Sequence, residues 1–576
     1  MFQQGGAIPD DADFFDFRTK GAGSVVVTYG LMLVTALMVT LVILPLTIRF
    51  AHELGMVDVP DARKTHLIHM PRSGGVGIAL GFFFSILLFG TSDQGVQAVM
   101  LGALVIIATG VLDDIWQIRP LHKFIGQIIA AVLFIWWSGV SLTSIGDIFG
   151  VGPIHTGPFG FAFTVLCIVG VINALNLSDG LDGLAGGMSV IACLFLGFFA
   201  YVSQQWASLF IVVALFGSLL GFLYYNSHPA KVFMGDTGSL LLGYLLVTAE
   251  ILLAGGKGAV VFPVTMALVL ALPVVDTALV MTHRIMRGSS PFSPDRTHIH
   301  HRLLDLGLPH GAVVSLLYAT MGLYGLVAVL LRDQAEWVQF ATGAAIAFTI
   351  YGVVNVLEKA GYRWGEAADA VEDVDASLPS VLYQRITAWS GQSIPWVTWL
   401  IPVLLLLPAI YLDPLSTKAA WLTLFSVGGL LVLYPIFSYE DREGLAHAIL
   451  YWSIFLILAA CTCYGNDQVR LYLAVISSLV AIWVVVKLVF KRHRRIFLTS
   501  GFEVLIILVS WLIPQLLEHA SYISAERKDW LMLVCLESIP FLLAMKIIIR
   551  KQAHRNRSLV LSLSTILIVL AVNGFI

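Results

Sequence analysis

Apolar runs of about 18 residues or more recur along nearly the whole chain, and that is the length a helix needs to cross roughly 30 Å of hydrocarbon. Within lipid a backbone has to satisfy its own hydrogen bonds, so only helices and closed barrels can span. The runs here are continuous rather than alternating, which is the helical pattern and not that of a barrel strand. The 576 residues are therefore expected to form an all-α polytopic membrane protein. Composition agrees: 58% of residues are hydrophobic and only 12% charged, about half the charged share of a soluble domain. The net charge of -3 excludes little, because the side on which charges fall matters more than their sum.

The runs place spans near 24–48, 74–90, 96–112, 124–140, 159–176, 187–202, 206–225, 238–254, 259–282, 311–331 and 337–356. Four parts follow: an extracytoplasmic tail (1–23), a membrane domain (24–357), a polar cytoplasmic linker (358–394), and a C-terminal membrane domain (395–576) of about seven helices, for about 18 transmembrane helices in all. The tail is acidic (Asp10, Asp11, Asp13, Asp16), unlike the basic start of a cleaved signal peptide, so the first run is expected to stay as a helix. All five cysteines lie in or beside apolar runs and read as small packing residues, not a disulfide framework.

Alternate loops separate by charge. One set carries Arg49, Arg63, Lys64, Arg72, Arg119, Lys123, Lys231, Arg284, Arg287, Arg296 and Arg302; the other, up to residue 331, carries only Arg18, Lys20 and Lys257. Cytoplasmic loops are the basic ones, which puts the N-terminus outside. The same count puts "KRHRR" (491–495) on the cytoplasmic side.

On that face the chain also collects its acids, amides and imidazoles: Asp113 and Asp114, Asn173 through Asp182, Asn226 through Asp236, and "DRTHIHH" at 295–301. Carboxylates converging with Asn, Lys and His point to magnesium and phosphate. Mg²⁺ is a hard cation commonly shared between one or two carboxylates and a substrate phosphate, and phosphoryl transfer is mostly positioning and charge neutralisation. Lys64, Arg72, Lys123, Arg296 and Arg302 are available to clamp phosphates. Plainer readings stand beside this one. The Asp pair alone is more often a capped turn, and its two members cannot share one helix face. The imidazoles of His298, His300 and His301 could form a zinc site, but their spacing favours phosphate contacts. A lone Phe233 is more often a packing aromatic, and Asp276 is an acid inside an apolar run, a functional candidate by default.

Taken in order, "DARKTHLIHMPRSGGVGI", "GVLDDIWQIRPLHKFIGQ", "NALNLSDGLDGLAGG", "NSHPAKVFMGDTGSLLLG" and "SPDRTHIHHRLLDLG" resemble the polyprenyl-phosphate N-acetylhexosamine-1-phosphate transferases over about residues 25–331. The resemblance implies transfer of a sugar-1-phosphate from a UDP-sugar to a lipid phosphate, releasing UMP, as the first membrane step of cell-envelope polysaccharide synthesis. It implies that Asp236 binds magnesium, with Asp113 and Asp179 as further metal candidates. The pair Asp113 and Asp114 either prepares the lipid phosphate for attack or organises metal and lysine. Asn173, Asn176, Asp179 and Asp182 match the nucleotide-sugar loop, with Asp182 toward uracil. Asn226 and Lys123 match positions facing the diphosphate, and Phe233 matches one that stacks on uracil. His298, His300 and His301 match catalytic histidines near the phosphates, with Arg302 adjoining; Lys64 and Arg72 are candidates for the lipid phosphate or uridine. The interrupted "HIHH" is similar to the branch that usually takes N-acetylglucosamine. Expected partners are a UDP-N-acetylhexosamine, undecaprenyl phosphate, Mg²⁺ or Mn²⁺, membrane lipid, later glycosyltransferases and a second copy in a homodimer, with no nucleic acid. The expected place is the plasma membrane, multi-pass, with a cytoplasmic site. The competing class is a transporter or flippase of polyprenyl-linked sugars.

Overall fold

The computed structural model describes residues 22–58, 69–255, 261–290, 297–363, 393, 395–406 and 467–490, with scattered positions between 424 and 570. Among them are nine helices long and apolar enough to cross a membrane, or ten if one bent pair counts as a single span. In chain order the helices are α1 (Ala22–Leu54), α2 (Gly74–Phe89), α3 (Gln94–Trp116), α4 (Pro120–Ser138), α5 (Gly160–Ser178), α6 (Leu184–Val202), α7 (Trp206–Asn226), α8 (Gly235–Gly255), α9 (Pro263–Val269), α10 (Ala271–Met286), α11 (Ile299–Asp305), α12 (His310–Leu330) and α13 (Glu336–Lys359). A two-stranded hairpin of β1 (Val57–Asp58) and β2 (Met70–Pro71) joins α1 to α2. Two more helical stretches, Pro395–Leu406 and Asp467–Phe490, are described further on. The tail, most of the linker and most of the expected C-terminal spans lie outside the described residues.

All eleven spans read from hydropathy up to residue 356 correspond to helices, with two differences. The expected span at 259–282 is two helices, α9 and α10, bent by 84° at one break. The expected cytoplasmic loops are also shorter than hydropathy suggests. Asp113 and Asp114 belong to the last turns of α3, and Asp236 to the first turn of α8. Polar residues end a hydropathy window without ending a helix, and here the polar turns are helical because they cap one another.

The centre of the bundle is α8, whose residues from Thr237 to Leu253 are all buried; helices α2, α3, α5, α6 and α7 pack around it. Small residues let it be surrounded this closely. A Cβ on Gly110 of α3 would lie 2.3 Å from Thr237 Cα, so α3 touches the first turn of α8 backbone to backbone, one turn from its own acids. Away from this centre the apolar side chains turn outward. Leu87, Leu104, Leu166 and Phe348 are largely exposed, which in water would be costly and in lipid is the favoured arrangement. Trp116 and the Trp136–Trp137 pair, also exposed, sit at opposite ends of the α3–α4 hairpin, where aromatic rings mark the membrane interfaces.

Candidate active site

Tight reversals gather the polar residues at one end of the bundle. Gln117 closes α3 in the left-handed conformation, at φ 50°, and Pro120 opens α4 at its first position, where a missing N–H costs nothing. The short turn folds Lys123, in the first turn of α4, back beside Asp113 in the last turns of α3. Lys123 Nζ lies 2.6 Å from Asp113 Oδ2 and also pairs with Asp236 Oδ2. Asn176, near the end of α5, donates to Asp236 Oδ1 at 3.0 Å and to Ser239 Oγ at 2.7 Å. Four helices thus deliver Asp113, Lys123, Asn176 and Asp236 to one spot.

The two neighbouring acids have separate tasks, as their helical spacing requires. Asp114 Oδ1 accepts the Asp236 N–H at 2.8 Å, and Oδ2 accepts the Thr237 N–H at 2.9 Å and the Thr237 hydroxyl at 2.6 Å. It therefore caps α8 from a different helix, satisfying N–H groups that have no partner within α8. The plainer reading of the Asp pair as a cap is half right: it holds for Asp114, although the capped helix is α8 and not its own. Gly235 makes this possible. Its φ is +69°, and a Cβ there would lie 2.7 Å from Asp114 Oδ2. Asp113 keeps Oδ1 shielded from solvent with no hydrogen-bond partner.

The "SDGLDG" loop between α5 and α6 forms the next wall. Asp179 is pushed up to about 7 by burial first, then by the negative charges of Asp236, Asp182 and Asp114. A carboxylate perturbed by burial and charged neighbours in this way is a candidate for a functional role. Burial pushes the Asp182 carboxyl up, but hydrogen bonds from His228 at 2.8 Å and the Ala230 N–H at 3.1 Å outweigh this and hold its pKa below the usual carboxylate range. Asp182, His228 and His310 bring ligand-type atoms within 4.8 Å of one another. The two imidazoles stack at 4.2 Å and 23°. Nearly parallel rings point their in-plane lone pairs side by side rather than at one centre, so the group reads as a lock on the loop and not as a metal site.

Several residues expected to face substrate prove to hold the walls. Asn226 is buried; it accepts the Gly183 N–H at 2.9 Å and donates to Val232 O at 2.9 Å, clamping the α5–α6 loop to the α7–α8 loop. One donor and the oxygen of its amide are thereby engaged in holding the two loops together. Asn173 donates to Gln127 Oε1 at 2.6 Å and Val169 O at 2.7 Å, so its amide points to α4, away from the carboxylates. Arg302 grips Glu358 of α13 through two hydrogen bonds, 2.9 and 2.7 Å, and also donates to Asn355. That bidentate pair spends the guanidinium on tying α11 to α13 instead of on a phosphate. Arg72 pairs with Asp58 across the hairpin. Phe233, half-buried, is anchored by its backbone to Pro71 and Gly74, at the rim of the site. Lys64 and Arg296 lie outside the described residues.

The histidine motif enters from the far side. His298 is the N-cap residue of α11, and His300 and His301 fill its first turn. Burial first, then the neighbouring His301, pushes His300 down to about 3, so at neutral pH it is an uncharged donor and acceptor. His300 Nε2 lies against Gly180 of the α5–α6 loop, where an added Cβ would approach to 2.3 Å. Sequence reasoning missed Gln127, Ser239, His228, Tyr318 and Tyr351. Tyr318 donates to Gly183 O at 2.6 Å, and Tyr351 donates to Asp276. Gln127, His228 and Ser239 lie inside quoted motifs without being singled out, whereas Tyr318 and Tyr351 sit in ordinary apolar runs where only a spatial neighbour gives them meaning.

With this geometry in hand, comparison with known proteins decides the family. The profile of glycosyl transferase family 4 matches residues 96–254, which covers α3 through most of α8. The chain is 36% identical over 306 residues to the probable undecaprenyl-phosphate N-acetylglucosaminyl 1-phosphate transferase of Bacillus subtilis (strain 168), covering 85% of that protein and 53% of this chain. It belongs to glycosyl transferase family 4. The undecaprenyl-phosphate alpha-N-acetylglucosaminyl 1-phosphate transferases of Escherichia coli (strain K12) and Yersinia pestis are similar at 31% and 30% identity, over 84% and 85% of their lengths. In each case the match spans 53% of this chain. The matching part is a polytopic membrane enzyme fold, and Asp113, Lys123, Asn176 and Asp236 fall within the profile match.

Proposed function

We propose that the protein transfers N-acetylglucosamine-1-phosphate from UDP-N-acetylglucosamine to undecaprenyl phosphate and releases UMP. The observation that carries this is the cluster of Asp113, Lys123, Asn176 and Asp236 at one end of the helices, walled by a nucleotide loop that Asn226, Tyr318 and Asp182 hold in place. The basic loops at that end support a cytoplasmic site in the plasma membrane.

A magnesium ion fits the residues present. Asp113 Oδ1 is a shielded acceptor with no protein partner, and Asp236 and Asp179 supply further hard oxygen donors. Asp113, Asp236 and Asp179 would hold the ion, which when bound supplies charge neutralisation for the diphosphate. The remaining work falls to the chain itself. Lys123 provides a cation already placed between two carboxylates, from which it would neutralise a diphosphate held beside Asp236. A non-ester oxygen of the lipid phosphate attacks the β-phosphorus of the UDP-sugar. The bond from that phosphorus to the oxygen bridging to the α-phosphate breaks, and UMP departs with the electron pair. Of the adjacent pair it is Asp113, beside Lys123, that is left to act on substrate, because Asp114 is committed to the cap. Aligning nucleophile and leaving group is what such a rigid site contributes most.

A transport reading gains nothing here. Transporter sites lie near the bilayer midplane, whereas these charges sit at helix ends. The test is a transfer assay with purified protein, undecaprenyl phosphate and UDP-[14C]N-acetylglucosamine. Label extractable into organic solvent is expected, and is expected to vanish with chelator or with Asp236→Asn. Activity retained in that variant would overturn the assignment of Asp236.

A further inference from the structure

Asp276 is the least exposed acid of the histidine region, at 2%, and it lies in the span-forming helix α10 instead of a loop. Burying a carboxylate there costs several kcal/mol unless its lone pairs are met, and here they are. Oδ1 accepts the Ile299 N–H at 3.0 Å and the Tyr351 hydroxyl at 2.7 Å, and Oδ2 faces His298 Nδ1 at 2.8 Å. Three elements therefore converge on one carboxylate: α10, the start of α11, and α13. None of these contacts involves the residues around Asp236.

This arrangement dictates which atom of His298 faces the site. A carboxylate only accepts, so the Nδ1 nitrogen must carry the proton and Nε2 is left as the presented atom. His298 Nε2 is shielded from solvent and has no partner in the protein. Its ring lies almost parallel to that of His300, at 13° and 5.9 Å, and His300 reaches Gly180 in the nucleotide loop. A buried ring nitrogen without a partner is destabilising, and its presence is explained if a ligand meets the atom during turnover.

We infer that Asp276, braced by Tyr351, is the positioning residue of the histidine motif: it fixes the Nδ1–H tautomer of His298 so that Nε2 accepts a hydrogen bond from a substrate O–H group. This rests on the transferase reading for the identity of the substrate, but the geometry of the Asp276–His298 pair stands without it. Two substrate groups have the required chemistry, the P–OH of a singly ionised lipid phosphate and a hydroxyl of the donor sugar. Asp276 touches neither; it acts through His298. The same use of a buried acid to set a catalytic imidazole recurs in unrelated enzymes, where replacing the acid by its amide leaves the fold intact and lowers turnover by orders of magnitude.

The experiment is a double-mutant cycle on full-length protein, with kcat and both KM values measured for Asp276→Asn, His298→Ala and the double variant. Asp276→Asn alone is expected to lower kcat/KM by about 10²- to 10³-fold. In the His298→Ala background it is expected to cost no more than about twofold, because the group it positions is gone. Loss concentrated in the lipid-phosphate terms assigns the P–OH, and loss in the UDP-sugar terms assigns the sugar hydroxyl. Equal loss in both backgrounds overturns the inference, since a purely architectural acid acts independently of His298. Tyr351→Phe, which keeps the carboxylate, gives a milder second cycle should the first variant fail to fold. A readout that needs no activity separates this from failure of the transferase reading. In 15N-histidine-labelled protein, the resonance lost in His298→Gln is expected to show a protonated Nδ1. A neutral ring protonated only at Nε2 overturns the inference even if wild-type turnover is high.

Discussion

Exchanging each of the neighbouring acids for its amide should separate two jobs that the sequence presents as one. In Asp114→Asn the amide oxygen can replace only one carboxylate oxygen, while its NH2 group is driven against the Asp236 N–H or against Thr237. One hydrogen bond to a charged acceptor is lost, worth about 1.5–3 kcal/mol, and the charge at the α8 N-terminus goes with it, worth about 0.3–1 kcal/mol or more when partly buried. The expected destabilisation is about 2–4 kcal/mol, read as a shift in unfolding by heat or SDS in detergent. Asp113→Asn removes the contact with Lys123, which retains Asp236, and at the same time relieves the like-charge repulsion between Asp113 and Asp236. Its stability should change by less than about 1 kcal/mol, while turnover falls by orders of magnitude. Unfolding followed by intrinsic fluorescence, beside a transfer assay on the same preparations, makes the comparison. Equal stability of the two variants, or an Asp113→Asn protein that is the less stable, would refute the division of labour.

Other expectations follow from single contacts. Asn226→Ala leaves the Gly183 N–H and Val232 O unmet and frees the nucleotide loop, so KM for the UDP-sugar should rise more than kcat falls; an unchanged KM would count against the clamp. Arg302→Gln should lower thermal stability about as much as Glu358→Gln while leaving KM for the donor alone; a rise in KM would restore Arg302 to the phosphates. Asp179 carries a pKa raised above its unfolded value, so the folded protein binds the extra proton and stability falls as pH rises from about 4 through about 7. In chelator, Asp179→Asn should therefore be more stable than wild type at pH 8 and close to it at pH 4, judged by melting curves; the opposite order would contradict the burial argument.

Much of this architecture is legible in the residues because bilayer thickness leaves few choices. Every span expected up to residue 356 is helical, one of them as a bent pair, and the Asp, Asn and His motifs do gather at one end. Legibility fails where meaning is spatial. Hydropathy cannot reveal that α9 and α10 break at 84°, since only Leu270 separates them and no polar run marks the bend. Nor can spacing alone show that Asp114 caps a helix from more than a hundred residues away, or that Arg302 turns to Glu358. Asn226 and Asn173 stood in matched motifs and were expected at the substrate; motif membership locates a residue in the site without saying which way its amide points. Tyr318 and Tyr351 carry no motif at all, and only their hydroxyl contacts identify them.

The central claim is that the bond broken lies between the two phosphates of the nucleotide sugar, and the nucleotide product reports on that bond directly. Purified protein should be given undecaprenyl phosphate, Mg²⁺ and uridine-labelled UDP-N-acetylglucosamine, and the nucleotide and lipid products separated and weighed by mass spectrometry. The account expects UMP in equal amount to a lipid diphospho-N-acetylglucosamine. Release of UDP with a lipid monophospho-sugar, or unaltered donor from folded protein, would contradict it.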